Sequence, residues 1–126
     1  MKHSIEIYER VNGEIPFYDF LRTLNPKDEA KILRDLDLLE SYGNSLREPY
    51  TKCLRDGLFE LRTKFGSNAY RSIYYFVYGR IIVITHCFSK KQNKTPDNEI
   101  ETALKYKTDW EERRNEIQSA KEGITK

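Results

Sequence analysis

Between Leu58 and Lys94 the chain carries side chains suited to work on a phosphodiester. If 58–65 is extended, Glu60, Arg62 and Lys64 share one strand face. Arg71 opens the next strand-like segment, His86 lies near the end of a third, and Lys90 and Lys91 follow directly. Cleaving RNA without a metal asks for such groups. A base takes the proton of a 2′-hydroxyl, and that oxygen attacks the adjacent phosphorus. Cations hold the charge that builds on the phosphoryl oxygens, and an acid protonates the leaving 5′-oxygen. The products are a 2′,3′-cyclic phosphate and a 5′-hydroxyl. Arg62 and Arg71 suit the cationic role, because a guanidinium matches phosphate geometry. Glu60, His86 or a lysine depressed in pKa by cationic neighbours could exchange the protons.

Each residue also has a plainer reading. Glu60 and Arg62, two apart on one face, fit a surface ion pair with no chemistry. His86 sits among Thr85, Cys87 and Phe88, the usual setting of a hydrogen-bonded core histidine. Tyr74, Tyr75 and Tyr78 fit strand packing, although an exposed one could stack on a base. Lys90, Lys91 and Lys94 fit a solvated loop. There is no Gly-rich phosphate loop, no metal-ligand spacing and no Ser/His/Asp arrangement.

Charge separates the middle of the chain from the rest. The net charge is only +2, yet Arg47 to Lys94 holds ten Lys or Arg against three Asp or Glu, a net +7. The remainder carries −5. A basic centre flanked by acidic helices suits nucleic acid, since phosphate attraction supplies most non-specific affinity. A solvated sheet with a chance excess of lysine fits the same count.

The elements that must position these groups follow from periodicity. His3 to Tyr8 alternates weakly and reads as a strand, and Asn12-Gly13 as a turn. Pro16 suits the first turn of a helix whose apolar face is Phe17, Phe20, Leu21 and Leu24. Asn25-Pro26 ends it and caps a second helix with Ile32, Leu33, Leu36 and Leu39 as its buried stripe and Gly43 at its C-terminus. Residues 44–57 read as loop. Three strands then follow, at 58–65, 69–78 and 80–88, forming an antiparallel meander. Thr95 is the expected N-cap of a last helix that starts at Pro96 and carries Ile100, Ala103 and Leu104, with Trp110 extending its packing. From about Ile117 the chain turns polar and is expected to fray. The fold class is α+β, in the order β-α-α-β-β-β-α. A helical hairpin covers one face of the sheet, and the other face holds the polar strand residues.

The 126 residues fit one domain, read here as 1–117 with a polar tail at 118–126. With 38% hydrophobic and 33% charged residues the chain is ordinary for a globular protein and too apolar for a disordered one. Cys53 and Cys87 have no CxxC partner and read as isolated thiols in a reducing cytosol. Met1-Lys2-His3 leads into the first strand without a signal peptide, and the longest aliphatic run, Ile81 to Ile84, is too short to span a membrane. A cytoplasmic protein is expected.

Taken together these segments resemble the phage-derived branch of the RelE/HigB toxin family. The resemblance is carried by Leu54-Arg55-Asp56-Gly57-Leu58-Phe59-Glu60-Leu61-Arg62, then Tyr70-Arg71, then His86-Cys87-Phe88-Ser89-Lys90-Lys91, then Thr95-Pro96 and Ala103. It spans roughly residues 3 to 107 and includes the order of elements. It implies a RelE-like fold and the toxin of a type II toxin–antitoxin pair, a ribosome-dependent mRNA endoribonuclease that needs no metal or cofactor. The implied partners are mRNA on the ribosome and a small helix-turn-helix, HigA-like antitoxin, through which alone operator DNA is reached. By motif position Arg62 and Arg71 become phosphate-binding and transition-state residues. Lys90 and Lys91 become RNA-binding or proton-transfer residues, and Glu60 occupies the family's acidic position. Arg55, Lys64 and Lys94 add RNA-binding charge. Two alternatives stay open: a ParE-like relative that poisons DNA gyrase, and a non-catalytic module that binds RNA or the antitoxin.

Overall fold

Asn25 shows how local chemistry sets the architecture. Its side-chain oxygen accepts from the Asp28 amide at 2.9 Å and Pro26 takes the first helical position, satisfying one of the free amides at a helix start. The computed structural model describes residues 3–125, with side chains through residue 121. The leader reading at Met1-Lys2, and Lys126 of the polar tail, lie outside the described residues.

The chain runs β1 (Ser4–Ile7), α1 (Pro16–Leu21), α2 (Pro26–Tyr42), a 3₁₀ turn (Gly43–Ser45), β2 (Thr51–Cys53), β3 (Phe59–Phe65), β4 (Asn68–Val77), β5 (Ile81–Ser89) and α3 (Asp97–Thr125). Gly43 ends α2 at φ +52, and a Cβ there would sit 2.0 Å from the His3 ring, so glycine is required on both counts.

The expected α+β order is present, with three corrections. First, the region read as loop contains β2, a three-residue strand antiparallel to Phe59–Leu61. Second, the sheet is mixed. Its order is β1-β5-β4-β3-β2, and β1 pairs with β5 in parallel, Ser4 opposite Ile81 to Ile7 opposite Ile84. β5 is buried from Ile82 to Phe88; such a strand needs a neighbour on each side to satisfy its backbone. The helical hairpin therefore carries the chain across one face, from β1 at one edge to β2 at the other.

Third, both faces of the sheet are covered. On one face α1 and α2 bury Phe17, Leu21, Ile32 and Leu39 against Leu61, Tyr74 and Ile84. Each such side chain stabilises by roughly 1.5–3 kcal/mol. Leu33, expected in the buried stripe, is exposed. It lies about 100° round the helix from Ile32, and Asp28 and Asp35 occupy inner positions instead. On the other face α3 lays Ile100 and Ala103 over Leu58, Ile73, Tyr75, Val83 and Phe88. Trp110 extends this packing and donates Nε1–H to Glu6 at 3.2 Å. The helix continues past Ile117 to Thr125.

Candidate functional site

β2 covers only Phe59–Leu61 of β3, so from Arg62 onward the sheet edge is open. There the chain swings in, and the Arg62 amide donates to the Tyr50 carbonyl at 2.7 Å. Beyond this point lies a cleft of about 560 Å³, bounded by α2, the β3–β4 end of the sheet and the loop after β5. Its lining includes six cations, Lys31, Lys52, Arg62, Lys64, Arg71 and Lys90, and one acid, Asp35. Asp35 is already paired with Lys31 at 2.8 Å.

The wall is organised by Glu60, which is fully buried. Its Oε1 accepts from Arg62 Nε at 3.1 Å. Its Oε2 accepts from the Thr95 hydroxyl at 2.6 Å and lies 3.6 Å from Arg71 Nη1. Arg71, itself buried, donates Nη1–H to Thr95 Oγ1 at 3.0 Å and Nη2–H to the Asn93 carbonyl at 2.7 Å. Burial pushes the Arg71 pKa down, Glu60 works against that, and Arg62 adds to the lowering. Arg71 Nε is buried without a partner.

Register explains why these groups meet. Arg62 stands opposite Arg71, and Glu60 opposite Ile73, across the β3–β4 ladder. Directly opposed residues share a face, so both guanidiniums and the carboxylate project to one side. Thr95 is the correction with the most consequence. The helix begins at Asp97, and the Thr95 hydroxyl is spent on Glu60 and Arg71 instead of capping α3.

On the opposite face Asp28 accepts from the Tyr70 hydroxyl and, at 2.9 Å, from Asn68. This ties the start of α2 to β4, beside the cleft that Tyr70 lines. The Tyr70 bond holds the Asp28 carboxyl below its usual range, and the same bond pushes Tyr70 up to about 12.

Of the candidate residues, Arg62, Lys64, Arg71 and Lys90 converge on the cleft. Glu60 lies beneath it as the partner of both arginines, not as a surface ion pair. Lys91 and Lys94 are exposed on the same loop as Lys90 but outside the lining. His86 does not join the site. It is buried under α3, with Nε2 3.1 Å from Glu99 and Nδ1 3.1 Å from the Thr85 hydroxyl, which is the core-histidine reading. Arg55 is also elsewhere, paired with Asp56 and Glu101 at 2.7 Å each.

Sequence reasoning missed Lys31, Tyr50 and Lys52. Lys31 had one usable signal, its i,i+4 spacing to Asp35. Tyr50 lies in an irregular turn and had none. Among the described residues, the side chains of Lys52, Lys64 and Lys90 make no hydrogen bond or ion pair. No group of three or more His, Cys, Asp or Glu there could hold a metal ion. The arrangement is an anion cradle: two guanidiniums fixed by a buried carboxylate, with unpaired ammonium groups around them.

This fold is shared with a solved structure, a chain of the archaeal RelE–RelB complex from Pyrococcus horikoshii OT3. The match is 22% identical, covers 74% of this chain and 100% of that one, and has a TM-score of 0.52. The fold is thus RelE-like α+β, with a basic cleft at its open sheet edge. Residues 19–108 match the model of the phage-derived Gp49-like protein family, and the chain belongs to that family. No curated protein matches it.

Proposed function

We propose that this chain is the toxin of a type II toxin–antitoxin pair and acts as a ribosome-dependent mRNA endoribonuclease. The observation that carries the reading is the convergence of Arg62, Arg71, Lys64 and Lys90 on one cleft, with both arginines locked to Glu60. The family and the fold shared with a RelE–RelB complex support it. The partners would be mRNA on the ribosome and an antitoxin of the helix-turn-helix, HigA-like kind. The site of action would be the cytoplasm. The toxin domain is taken as 1–117, with 118–126 as a polar tail.

In this mechanism the scissile phosphate sits against Arg62 and Arg71, which hold the charge gained by the phosphoryl oxygens. The 2′-hydroxyl gives up its proton and attacks phosphorus, the P–O5′ bond breaks, and O5′ takes a proton. Glu60 is an unfavourable shuttle, since it is buried with both oxygens engaged. His86 faces α3. Proton movement falls to groups that line the cleft, of which Lys52, Lys64 and Lys90 are unpaired.

The test is expression in translating cells with mapping of mRNA 5′ ends. New cuts inside translated codons are expected, and their absence would overturn the nuclease reading. Inhibition of gyrase supercoiling without RNA cleavage would favour the ParE-like alternative instead. Salt-sensitive RNA binding without cleavage on ribosomes would favour the non-catalytic one.

A further inference from the structure

One aromatic faces the cationic cleft without a part in the chemistry above. Tyr50 is 46% exposed and lines the cleft with Lys52, Arg62, Lys64 and Lys90. Other tyrosines are spoken for: Tyr8 stacks on Tyr106, Tyr74 on Phe59, and Tyr70 bonds Asp28. The Tyr50 side chain, by contrast, makes no hydrogen bond or ring contact among the described residues. Its backbone is nonetheless fixed on both sides. The amide donates to the Arg47 carbonyl at 3.0 Å, and the carbonyl accepts from the Arg62 amide at 2.7 Å.

The main chain of Tyr50 is therefore held beside that of Arg62, and its ring, on the cleft lining, is left unused by the fold. A free aromatic among unpaired cations matches the needs of single-stranded RNA, in which cations follow the phosphates and a ring takes the face of a base. We propose that Tyr50 is a base-stacking subsite for single-stranded RNA, the nucleobase lying on its ring while Arg62 and the unpaired lysines hold the adjoining phosphate. The inference rests on the proposed function for RNA as the ligand, but not on cleavage itself. Its consequence is sequence-tolerant placement, since every base offers a π-face.

The experiment is a low-salt anisotropy titration of the full chain with a short labelled single-stranded RNA, and with the same RNA made abasic. Tyr50→Phe is expected to bind as wild type does. Tyr50→Ala is expected to weaken binding by roughly five- to a hundredfold. The dependence of log Kd on log salt should not change, because that slope counts phosphate contacts and not stacking. On abasic RNA, Tyr50→Ala and wild type should bind alike. The assignment is overturned if Tyr50→Ala binds the intact RNA as wild type does, if Tyr50→Phe loses as much as Tyr50→Ala, or if the salt slope shifts. It also fails if the wild type binds no RNA. Cleavage on ribosomes is read separately. Cutting that survives unchanged in Tyr50→Ala, with unchanged binding, sinks the stacking assignment alone. Binding through Tyr50 without any cutting sinks the nuclease reading alone.

Discussion

Arg62 and Arg71 are directly opposed across the β3–β4 ladder, and both guanidiniums meet the carboxylate of Glu60, at 3.1 and 3.6 Å. Like charges directly opposite each other destabilise a sheet, so this pairing depends on the buried anion between them. Glu60→Gln keeps the shape and removes the charge. It is expected to cost about 3 kcal/mol, the scale of breaking a buried pair, and to abolish RNA cleavage. Urea unfolding checks the first, mRNA cleavage the second. A Glu60→Gln protein as stable as wild type would show that the carboxylate is not what holds the two arginines.

The lysines give a cleaner test of the cleft than the arginines do. Arg71→Ala removes a buried guanidinium with bonds to Thr95 and Asn93, so stability and activity should fall together. Lys64 and Lys90 line the cleft unpaired. Lys64→Ala and Lys90→Ala should each leave stability within about 0.5 kcal/mol while lowering cleavage tenfold or more, on the order of one transition-state donor. Urea midpoints alongside cleavage rates in a translating extract separate the two effects.

What was legible in the sequence follows the range of the forces involved. Helices α1 and α2 were legible because their signals are local: Pro16, the Asn25 cap, the Ile32/Leu36/Leu39 spacing and Gly43. Strand β2 was not, since three residues carry no period and owe their form to Phe59–Leu61. The parallel pairing of β1 with β5 is a choice among edges that no segment encodes alone. The second core was hidden because Leu58, Ile73 and Phe88 share a face with Glu60, Arg62 and Arg71, so the strand pattern read as polar. At the site, Arg62, Lys64, Arg71 and Lys90 were legible by residue type. The role of Thr95 was not, because its partner Glu60 is 35 residues away. Arg55 was misplaced for the converse reason. It is close to Arg62 in sequence, but strands advance about 3.3 Å per residue, and it ends beside α3.

The pH dependence of stability should show two limbs. Burial pushes Tyr8 and Tyr74 up to about 12, and the bond to Asp28 does the same for Tyr70. The folded state thus keeps phenolic protons that the unfolded chain releases near pH 10. Their stabilisation is full below about pH 10 and is lost as pH rises toward 12. Phenolate absorbance should rise together with loss of far-UV circular dichroism. Asp28 and Asp109 are held low, each chiefly by a tyrosine hydroxyl. Their contribution is full above about pH 4 and is lost as pH falls further. Tyr70→Phe should flatten the acid limb, and an unchanged limb would remove Asp28 from the account.

Cys53 can report on whether the RNA path extends beyond the cleft. Cys53 is exposed on β2 and borders a groove with Phe59, Tyr74 and Phe76, on the helical-hairpin face. Cys87 is buried, and burial pushes its thiol up to about 12. Reactivity follows the thiolate and its access, so one thiol per folded chain should react quickly with a disulfide reagent and the second only on unfolding. Cys53 does not line the basic cleft. Maleimide attached to Cys53 should therefore leave RNA binding and its salt dependence unchanged. If the label blocks RNA, the nucleic acid crosses the β2 edge and the cleft alone does not define its path.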